Sequence, residues 1–575
     1  MSTTSGPNAG DFPWSFVAEG GQNACYAFEK SDVSPANFAA NNTTDLYRNK
    51  ILRVAKSDIL RGAIASGHTP LTPNDAECRQ FSLIMPTLEA SSSSCDANLR
   101  YILQVVRPLL GPQYVDVPQR ATISTGFAAN LWRVATSSGR VSQNRAKDWD
   151  CGEEERNLRN NHQPALNDEN SNRRIQATLL CDHKKISIPG FSMNTSLASE
   201  AASMPEETCI SVEIKPKAGY ISCSPLIGPK RRIKLVRTKY WIHQQLMAKG
   251  CLKKGWGPLI NNPGREIAVS TYNPLDLFSL EKNRIQHALH CLLEHPQNNL
   301  RVWYDEKIVI GQGAQELSNS QANSILRGAF PLTSGTCSGA NDLQDAIVEA
   351  VSEILMKEPL LSRLHNAQKF DFIDTDGAIL IWNHLVQLCD GNLNKAENLV
   401  NQYQGRIKKI DDIMMESKSR IEQNGLSALC NRIASFREEI KNVQADEKFL
   451  SKAYKETSEL IGHLNKEESV QVLATWLLSL SMCDLSFFVT LSPGTTSYTT
   501  CTSNLSSESI FSTQTEDSLG SVVISHKGSA PAKYFYNVKV VDCEMKPSRK
   551  LRNREQSEAV MDDLHVDLFD TIEPK

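Results

Sequence analysis

Residues 209–220, CISVEIKPKAGY, combine a short apolar run with two closely spaced lysines. The run before Lys215 predicts a buried β-strand. Proline fixes the backbone angle φ and glycine permits unusual backbone angles, so Pro216 and Gly219 shape how the chain presents its lysines. Because side chains alternate along a strand, Lys215 and Lys217 would share a face if the strand continued through them. The stretch therefore predicts a strand that delivers a fixed pair of cations.

The segment around this strand is strongly basic. Between residues 213 and 254 there are eleven Lys and Arg and one acid, Glu213, although the 575-residue chain has a net charge of −3. Such a segment is either a solvated basic face or a polyanion site, and the constrained backbone at Pro216 and Gly219 favours the polyanion site. The near-neutral total argues against a protein that coats nucleic acid, so no nucleic-acid partner is expected.

Length and hydropathy bound the architecture. At about 150 residues per domain, the chain allows roughly four small domains or two large lobes. The apolar stretch 472–489 is short for a membrane span and contains Asp484, so a buried helix that leads into a strand is expected there. Residues 1–7, MSTTSGP, lack the basic start and apolar core of a signal peptide. We therefore expect no membrane span.

Two long segments interrupt the compact regions. Residues 392–468 are charged and have apolar residues at helical spacing, which predicts two or three amphipathic helices. These helices either pack on the body of the protein or form a partner-binding coiled coil. Residues 492–525 are dense in Ser and Thr and predict a solvent-exposed loop.

Three short motifs could carry chemistry. Residues 19–23, EGGQN, form either a plain hairpin turn or a loop whose N–H groups approach phosphates. Residues 296–301, PQNNLR, are either a helix cap or a set of donors to phosphate and hydroxyl groups. Asp484 and Asp542 follow apolar runs, and are either buried caps or a base and a metal ligand for phosphoryl transfer. The chain has no Walker A motif.

Taken in order, these segments resemble the inositol-pentakisphosphate 2-kinase family. The most specific matches are EIKPKAGY at 213–220, YNPLDLFS at 272–279 and PQNNLRV at 296–302. Shorter matches include residues 19–23, 51–56, 109–116 and 541–547, so the matched runs extend over most of the chain.

The resemblance implies an α+β, two-lobed fold that is distantly similar to protein kinases. It places the N-terminal lobe at residues 1–182, a linker or hinge at 183–208 and the C-terminal lobe at 209–575. The larger lobe would carry the helical insertion at about 392–468 and the Ser/Thr-rich loop at about 492–525.

The implied activity is ATP-dependent phosphorylation of the 2-hydroxyl of inositol 1,3,4,5,6-pentakisphosphate to give inositol hexakisphosphate. A non-catalytic inositol-polyphosphate-binding protein on the same scaffold is the alternative, and the presence of Asp484 and Asp542 argues against it. A helical scaffold that uses 392–468 as its partner surface is a third possibility.

The resemblance also implies a role for individual residues. The ATP site would comprise Gly20, Gly21, Asn23, Arg53, Asp182, His183 and Glu213, with Arg53 at the phosphates and Glu213 at the ribose. The inositol phosphate site would comprise Arg133, Lys215, Lys217, Asn298, Asn299, Lys546 and Lys550. Asp484 would be the general base, assisted by Lys215, and Asp542 would bind Mg²⁺ together with Asp484.

The chain departs from the family pattern in several places. A lysine expected downstream of His243 is replaced by Met247, so the residue that makes this substrate contact is open. Plant members carry a Cys/His zinc site, but Cys337, His365, His384 and Cys389 are scattered here, and no zinc is expected. A monomer in the cytoplasm, the nucleus or both is expected.

Overall fold

The computed structural model describes residues 14–19, 23–28, 50–55, 82–84, 94–124, 128, 131–132, 134–135, 174–181, 183–184, 209–248, 269–304, 307–312, 314–315, 317–330, 340–404, 425–442, 446–493, 520–524, 532–546, 548 and 551. The chain is a mixture of helices and antiparallel sheets, which confirms the predicted α+β class. It divides into two compact units, Met1–Leu99 with Asp116–His183, and Arg100–Val115 with Lys184–Lys575.

The first unit contains a six-stranded antiparallel sheet of order β1-β2-β3-β6-β5-β4. Short runs rich in apolar and β-branched residues form these strands, as the sequence KILRVA of β3 illustrates. Tyr26, Leu52 and Val54 point from β2 and β3 into a buried layer. The strands are β1 (Trp14–Glu19), β2 (Asn23–Phe28), β3 (Lys50–Ala55), β4 (Ser82–Ile84), β5 (Gln119–Ser124) and β6 (Arg174–Cys181).

The second unit contains another six-stranded antiparallel sheet, of order β11-β12-β10-β7-β8-β9. Its central strands β10 and β7 pair through Phe487 and Ile214, and both residues are fully buried. The strands are β7 (Ile210–Ile214), β8 (Leu300–Tyr304), β9 (Lys307–Gly311), β10 (Ser486–Pro493), β11 (Gly520–Ile524) and β12 (Ala532–Val541).

Helices account for most of the remaining described residues, and several of them share the apolar core of the second sheet. A π-helical turn, Ile102–Val106, joins the first two, and a 3₁₀ segment, Pro229–Leu235, precedes the third. They are α1 (Ser94–Tyr101), α2 (Arg107–Leu110), α3 (Lys239–Ala248), α4 (Pro274–Leu277), α5 (Lys282–Glu294), α6 (Asn319–Ala329), α7 (Ala340–Lys357), α8 (Leu360–Gln368), α9 (Asp374–Leu388), α10 (Leu393–Gln404), α11 (Gly425–Asn442), α12 (Glu447–Ile461) and α13 (Lys466–Asp484).

The predicted helical insertion folds as α10, α11, α12 and the start of α13. Val400, Ile433 and Ile461 lie in one apolar cluster with Trp382 of α9 and Trp476 of α13. The insertion is therefore packed on the body, which confirms the first of the two alternatives. Residues 405–424, which are part of the predicted helical segment, lie outside the described residues.

The apolar stretch 472–489 is a buried helix that leads into a strand, as predicted. Asn465 and Glu468 form a capping box that starts α13, and Leu485 turns the chain into β10. None of the helices in the described ranges has both the length and the apolar character of a membrane span.

The predicted loop at 492–525 is too long, because both of its ends are strands. Ser492 belongs to β10 and is buried, and Gly520–Ile524 is the edge strand β11 beside β12. The polar composition of the segment obscured this short strand, in which Val522 is buried in the core and Val523 is exposed. Residues 494–519 lie outside the described residues.

Candidate functional site

The lysine motif lies in a loop at the end of β7. The strand ends at Ile214, and Lys217 has a left-handed backbone with φ of 63°. The expectation that Lys215 and Lys217 share the face of a strand is therefore wrong: Lys215 still bonds to the neighbouring segment through its N–H, and the main chain leaves the sheet at Pro216. Proline at 216 explains the change, because it has no N–H to continue the strand pairing.

Several groups hold this loop in place. The Lys215 N–H donates to the main-chain oxygen of Asn299 at 2.8 Å, and the Tyr272 hydroxyl donates to the main-chain oxygen of Pro216 at 2.7 Å. A Cβ at Gly219 would lie 1.9 Å from the Phe278 ring, so this position requires glycine. Tyr272 and Phe278 come from the YNPLDLFS motif, and their contacts give that motif a structural role.

Asp484 is the final residue of α13. Its carboxylate lies between two lysines, with Oδ2 2.6 Å from Lys546 Nζ and Oδ1 3.3 Å from Lys215 Nζ. The C-terminus of a helix disfavours a negative charge, and the two cations offset that effect. The Asp484 side chain is 38% exposed, whereas those of Lys215 and Lys546 are 22% and 14% exposed. The carboxylate therefore remains open to a substrate.

Opposing influences set the protonation of Asp484. Burial raises the pKa of its carboxyl, but Lys546 and Lys215 outweigh burial and hold that pKa well below its usual range. Asp484 is therefore ionised throughout the neutral pH range. While both lysines are paired with it, the carboxylate is a weak base.

Lys217 completes a group of three lysines around one aspartate, which we name the open cluster (Lys215, Lys217, Lys546 and Asp484). Burial and the neighbouring charge of Lys215 lower the pKa of Lys217 to about 8, although Asp484 acts in the opposite direction. Its ammonium group is thus crowded by other cations. An added anion would relieve this repulsion, so the open cluster is suited to binding a highly charged anion.

Asp542 lies close to this cluster because β10, which follows Asp484, pairs with β12, which precedes Asp542. Ser486 of β10 is opposite Val541 of β12, which places Asp484 and Asp542 at the same edge of the sheet. The segments that carry the two acids are therefore neighbours, which is the arrangement that a Mg²⁺ ion shared by both would require. Asp542 is exposed and has φ of 61°, a backbone that Asp tolerates better than most residues.

Glu213 and Arg301 face each other on β7 and β8 at the same edge. The Arg301 guanidinium is 3.5 Å from the Glu213 carboxylate. Burial raises the pKa of Glu213; Arg301 lowers it and Asp542 raises it, with a net rise. Glu213 therefore senses the charge of Asp542, which shows that the two carboxylates are close.

The two asparagines of the PQNN motif have different environments. Asn299 is 1% exposed and donates to the Tyr240 hydroxyl at 2.9 Å, while its neighbour Asn298 is exposed. The turn is held further by Gln297 and Gln244, whose amides exchange hydrogen bonds of 2.9 and 3.1 Å. Asn299 thus braces the turn from inside, and Asn298 is the more accessible of the two.

The structure describes only part of the proposed ATP site. In the first unit, Arg53 lies on β3 opposite Thr178 of β6, and Asn23 begins β2. His183 Nδ1 is 3.8 Å from a carboxylate oxygen of Asp116. Several predicted residues lie outside the described residues, namely Gly20, Gly21, Arg133, Asp182 and Lys550.

The basic segment 230–239 does not contribute all of its cations to a ligand cleft, contrary to the sequence-based expectation. Arg231, Lys234 and Lys239 instead pair with three buried aspartates of one short segment, Asp371, Asp374 and Asp376. Lys234 Nζ is 2.9 Å from Asp374 and 3.2 Å from Asp376, Lys239 Nζ is 2.8 Å from Asp371, and Arg231 binds Asp376. We name these six residues the closed cluster.

The charges within residues 213–254 do not reveal the closed cluster, because its acids lie about 140 residues downstream of their basic partners. The only available signal was the sequence FDFIDTD at 370–376, in which three acids occur within an apolar context. Acids in such a context usually have buried partners.

Comparison with known proteins agrees with the resemblance seen in the sequence motifs. The family model described as inositol-pentakisphosphate 2-kinase matches residues 16–560. An inositol-pentakisphosphate 2-kinase of Arabidopsis thaliana is 26% identical over 373 residues, which is 65% of this chain and 70% of that protein. One from Oryza sativa subsp. indica is 33% identical over 186 residues, 32% of this chain and 37% of that protein.

A third relative, the inositol-pentakisphosphate 2-kinase of Danio rerio, is 33% identical over 134 residues, covering 23% of this chain and 24% of that protein. The rice and fish matches are thus partial, whereas the family model spans nearly the whole sequence. The EIKPKAGY, YNPLDLFS and PQNNLRV motifs lie within that span and build the loop, its supports and the turn described above. The chain belongs to the inositol-pentakisphosphate 2-kinase family.

Proposed function

We propose that this inositol-pentakisphosphate 2-kinase transfers the γ-phosphoryl group of ATP to the 2-hydroxyl of inositol 1,3,4,5,6-pentakisphosphate at the open cluster. The product is inositol hexakisphosphate. The observation that carries this proposal is the placement of the Asp484 carboxylate between Lys215 and Lys546, with Lys217 beside them.

The charge of the open cluster fits this substrate. A pentakisphosphate carries roughly −8 to −10, at about −1.5 to −2 per phosphate. Three lysines around one carboxylate leave a surplus of positive charge, and Arg301 lies at the same edge of the sheet. Lys550 and Arg133 are proposed to add further contacts on the strength of the resemblance alone.

Asp484 is proposed to accept the proton of the 2-hydroxyl as that oxygen attacks the γ-phosphorus atom. In the free protein its pairing with Lys215 and Lys546 makes it a weak base. Substrate phosphates compete for the same two ammonium groups, so their arrival loosens the pairing and raises the basicity of Asp484. The base is thereby strengthened only when the acceptor is bound.

A magnesium ion fits Asp542 better than Asp484. Mg²⁺ is usually held by one or two carboxylates together with substrate phosphates. Asp542 is exposed, whereas both carboxylate oxygens of Asp484 lie near lysine ammonium groups. When bound, the ion would neutralise charge on the transferred phosphoryl group. We retain Asp542 as its principal ligand and Asp484 as a secondary one.

The nucleotide site follows the resemblance: Gly20, Gly21, Asn23, Arg53, Asp182, His183 and Glu213 would hold ATP. Several features stay predictions. They are the two-lobed, kinase-like arrangement, the domain limits at residues 182 and 208, a monomeric state, a cytoplasmic or nuclear location, and the lack of zinc. The non-catalytic and scaffold alternatives have no observation in their favour.

Identification of the product tests the proposal. The purified chain is incubated with Mg²⁺, ATP and the pentakisphosphate, and the product is assigned by phosphorus NMR. We expect one new phosphomonoester signal, from the phosphate at the 2-position, and the consumption of one ATP per product. Tight binding of the pentakisphosphate without ATP consumption would instead support the non-catalytic alternative, and neither binding nor turnover would support the scaffold.

A further inference from the structure

Gln368, the last residue of α8, is completely buried, and its side-chain amide makes three hydrogen bonds to main-chain groups. The Gly219 N–H donates to its Oε1 at 2.8 Å. Its Nε2 donates to the main-chain oxygens of Lys217 at 2.8 Å and Met482 at 3.2 Å. One amide group thus joins two separate segments of the chain.

Both segments carry residues of the open cluster. Lys217 and Gly219 belong to the loop after β7 that carries Lys215 and Lys217, which we name the lysine loop. Met482 lies two residues before Asp484 in the final turn of α13. The last carbonyls of a helix have no partner within it, so the Gln368 amide supplies one for Met482. The bond to Lys217 holds a residue whose left-handed backbone leaves it few other stable positions.

The amide is itself held in place. The Ser479 hydroxyl, one turn earlier in α13, donates to the main-chain oxygen of Gln368 at 2.5 Å. Gln368 is therefore attached to α13 through both its main chain and its side chain. A buried amide with three hydrogen bonds is rigid, and its apolar replacement would leave several buried polar groups without partners.

We propose that Gln368 is a positioning residue for phosphoryl transfer, which fixes the lysine loop relative to the end of the helix that carries Asp484. The inference rests on the proposed function. It assigns a role to a side chain that does not touch the substrate and that no sequence motif indicated. Misplacement of reacting groups by about 1 Å can cost about 10²-fold in rate, so a tether of this kind has a measurable effect.

The test is the variant Gln368→Met, which keeps the length of the side chain and removes its hydrogen bonds. We expect kcat to fall by about 10- to 100-fold, with no change in KM for ATP. The control is Val351→Ala, a core change in α7 that lowers thermal stability without reaching the open cluster. It should retain the kcat of the wild-type enzyme.

A second variant covers a failure to fold. Gln368→Asn keeps the amide but is one methylene too short to reach its three partners, so it should lower kcat in the same way without adding a charge to the core. The double variant Lys217→Met/Gln368→Met then shows whether Gln368 acts through its neighbour. The logarithms of the kcat losses in the two single variants should sum to more than the logarithm of the kcat loss in the double variant, because the residues are coupled.

Two results would overturn the inference while leaving the proposed function intact. One is a Gln368→Met enzyme whose kcat equals that of Val351→Ala at a matched loss of stability. The other is full additivity with Lys217→Met. If the wild-type chain itself formed no hexakisphosphate, the proposed function would fail, and this inference with it.

Discussion

The open and closed clusters are built from the same residue types but differ in charge balance and burial. In the closed cluster three cations meet three aspartates, and Lys234 and Asp374 are 2% and 0% exposed. In the open cluster three lysines meet one aspartate, which is 38% exposed. The number of lysines in a segment therefore does not define an anion site. Surplus positive charge and access to solvent define it.

The pKa of the aspartate is depressed in both clusters, with different consequences. Burial raises the pKa of Asp374, but Lys234 and Lys239 outweigh it and hold the pKa far below its usual range. These charges already satisfy one another and only join the 3₁₀ segment to α9. At Asp484 the same type of pairing is exposed, so a ligand can replace it.

The largest expected difference is in catalysis. Asp484→Asn removes the base of the open cluster, and kcat should fall by about 10²- to 10⁴-fold with little loss of stability. The control Asp390→Asn changes an exposed aspartate outside the open cluster that pairs with Lys395 at 3.6 Å, and it should be fully active. Steady-state kinetics together with a thermal melt check both variants. Wild-type kcat in Asp484→Asn would show that the base is elsewhere.

The corresponding change in the closed cluster should act on stability. Asp374→Asn removes one of the two aspartates that pair with each of Lys234 and Lys239, and breaking a buried pair costs about 3–5 kcal/mol. Asp276→Asn breaks the surface pair with Arg284, which is worth about 0–1 kcal/mol. Chemical denaturation measures both. If the two variants were equally stable, the closed cluster would have no special structural role.

Substrate affinity should separate the lysines of the basic segment. Lys217→Met should weaken binding of the pentakisphosphate about tenfold or more, since a hydrogen bond to a charged group contributes about 1.5–3 kcal/mol. Lys230→Met, at an exposed position of the same segment, should have little effect. Titration calorimetry at two salt concentrations gives the comparison, and binding by the wild type should weaken at the higher salt. Equal losses in both variants would indicate a diffuse basic face.

The smallest expected effect is a pH dependence of substrate binding. Lys217 has a pKa of about 8 in the free protein, and bound phosphates raise it, so binding takes up a proton above pH 8. Affinity is therefore full below pH 8 and declines as the pH rises to 9 and beyond. Lys217→Arg stays charged and should remove this decline. A wild-type affinity that is constant from pH 7 to 9.5 would contradict the assignment.

Local sequence patterns predicted the parts of the fold that depend on neighbouring residues. The run before Lys215 is a strand, and 472–489 is a helix followed by a strand, because each pattern reflects local burial. The pairing of the strands around Asp484 and Asp542 followed from the requirement that two acids meet at one site.

The contacts that could not be predicted are those between distant segments. Charge counting around Lys234 could not reveal Asp374, which lies 140 positions away. In the same way, the role of Gln368 depends on three main-chain groups from two other segments. The edge strand β11 was missed because it is short and lies in a polar segment, with the buried Val522 beside the exposed Val523.

Calorimetric titration of Asp484→Asn with the pentakisphosphate, without ATP, tests the central claim most directly. If the open cluster is a polyanion site with a built-in base, this variant should bind the pentakisphosphate at least as tightly as the wild type. The reason is that Lys215 and Lys546 are released from the carboxylate and become available to phosphates. After Mg²⁺ and ATP are added, the same sample should form hexakisphosphate about 10²- to 10⁴-fold more slowly than the wild type. Loss of binding in Asp484→Asn would contradict the account, because Asp484 would then hold the site together instead of serving as its base.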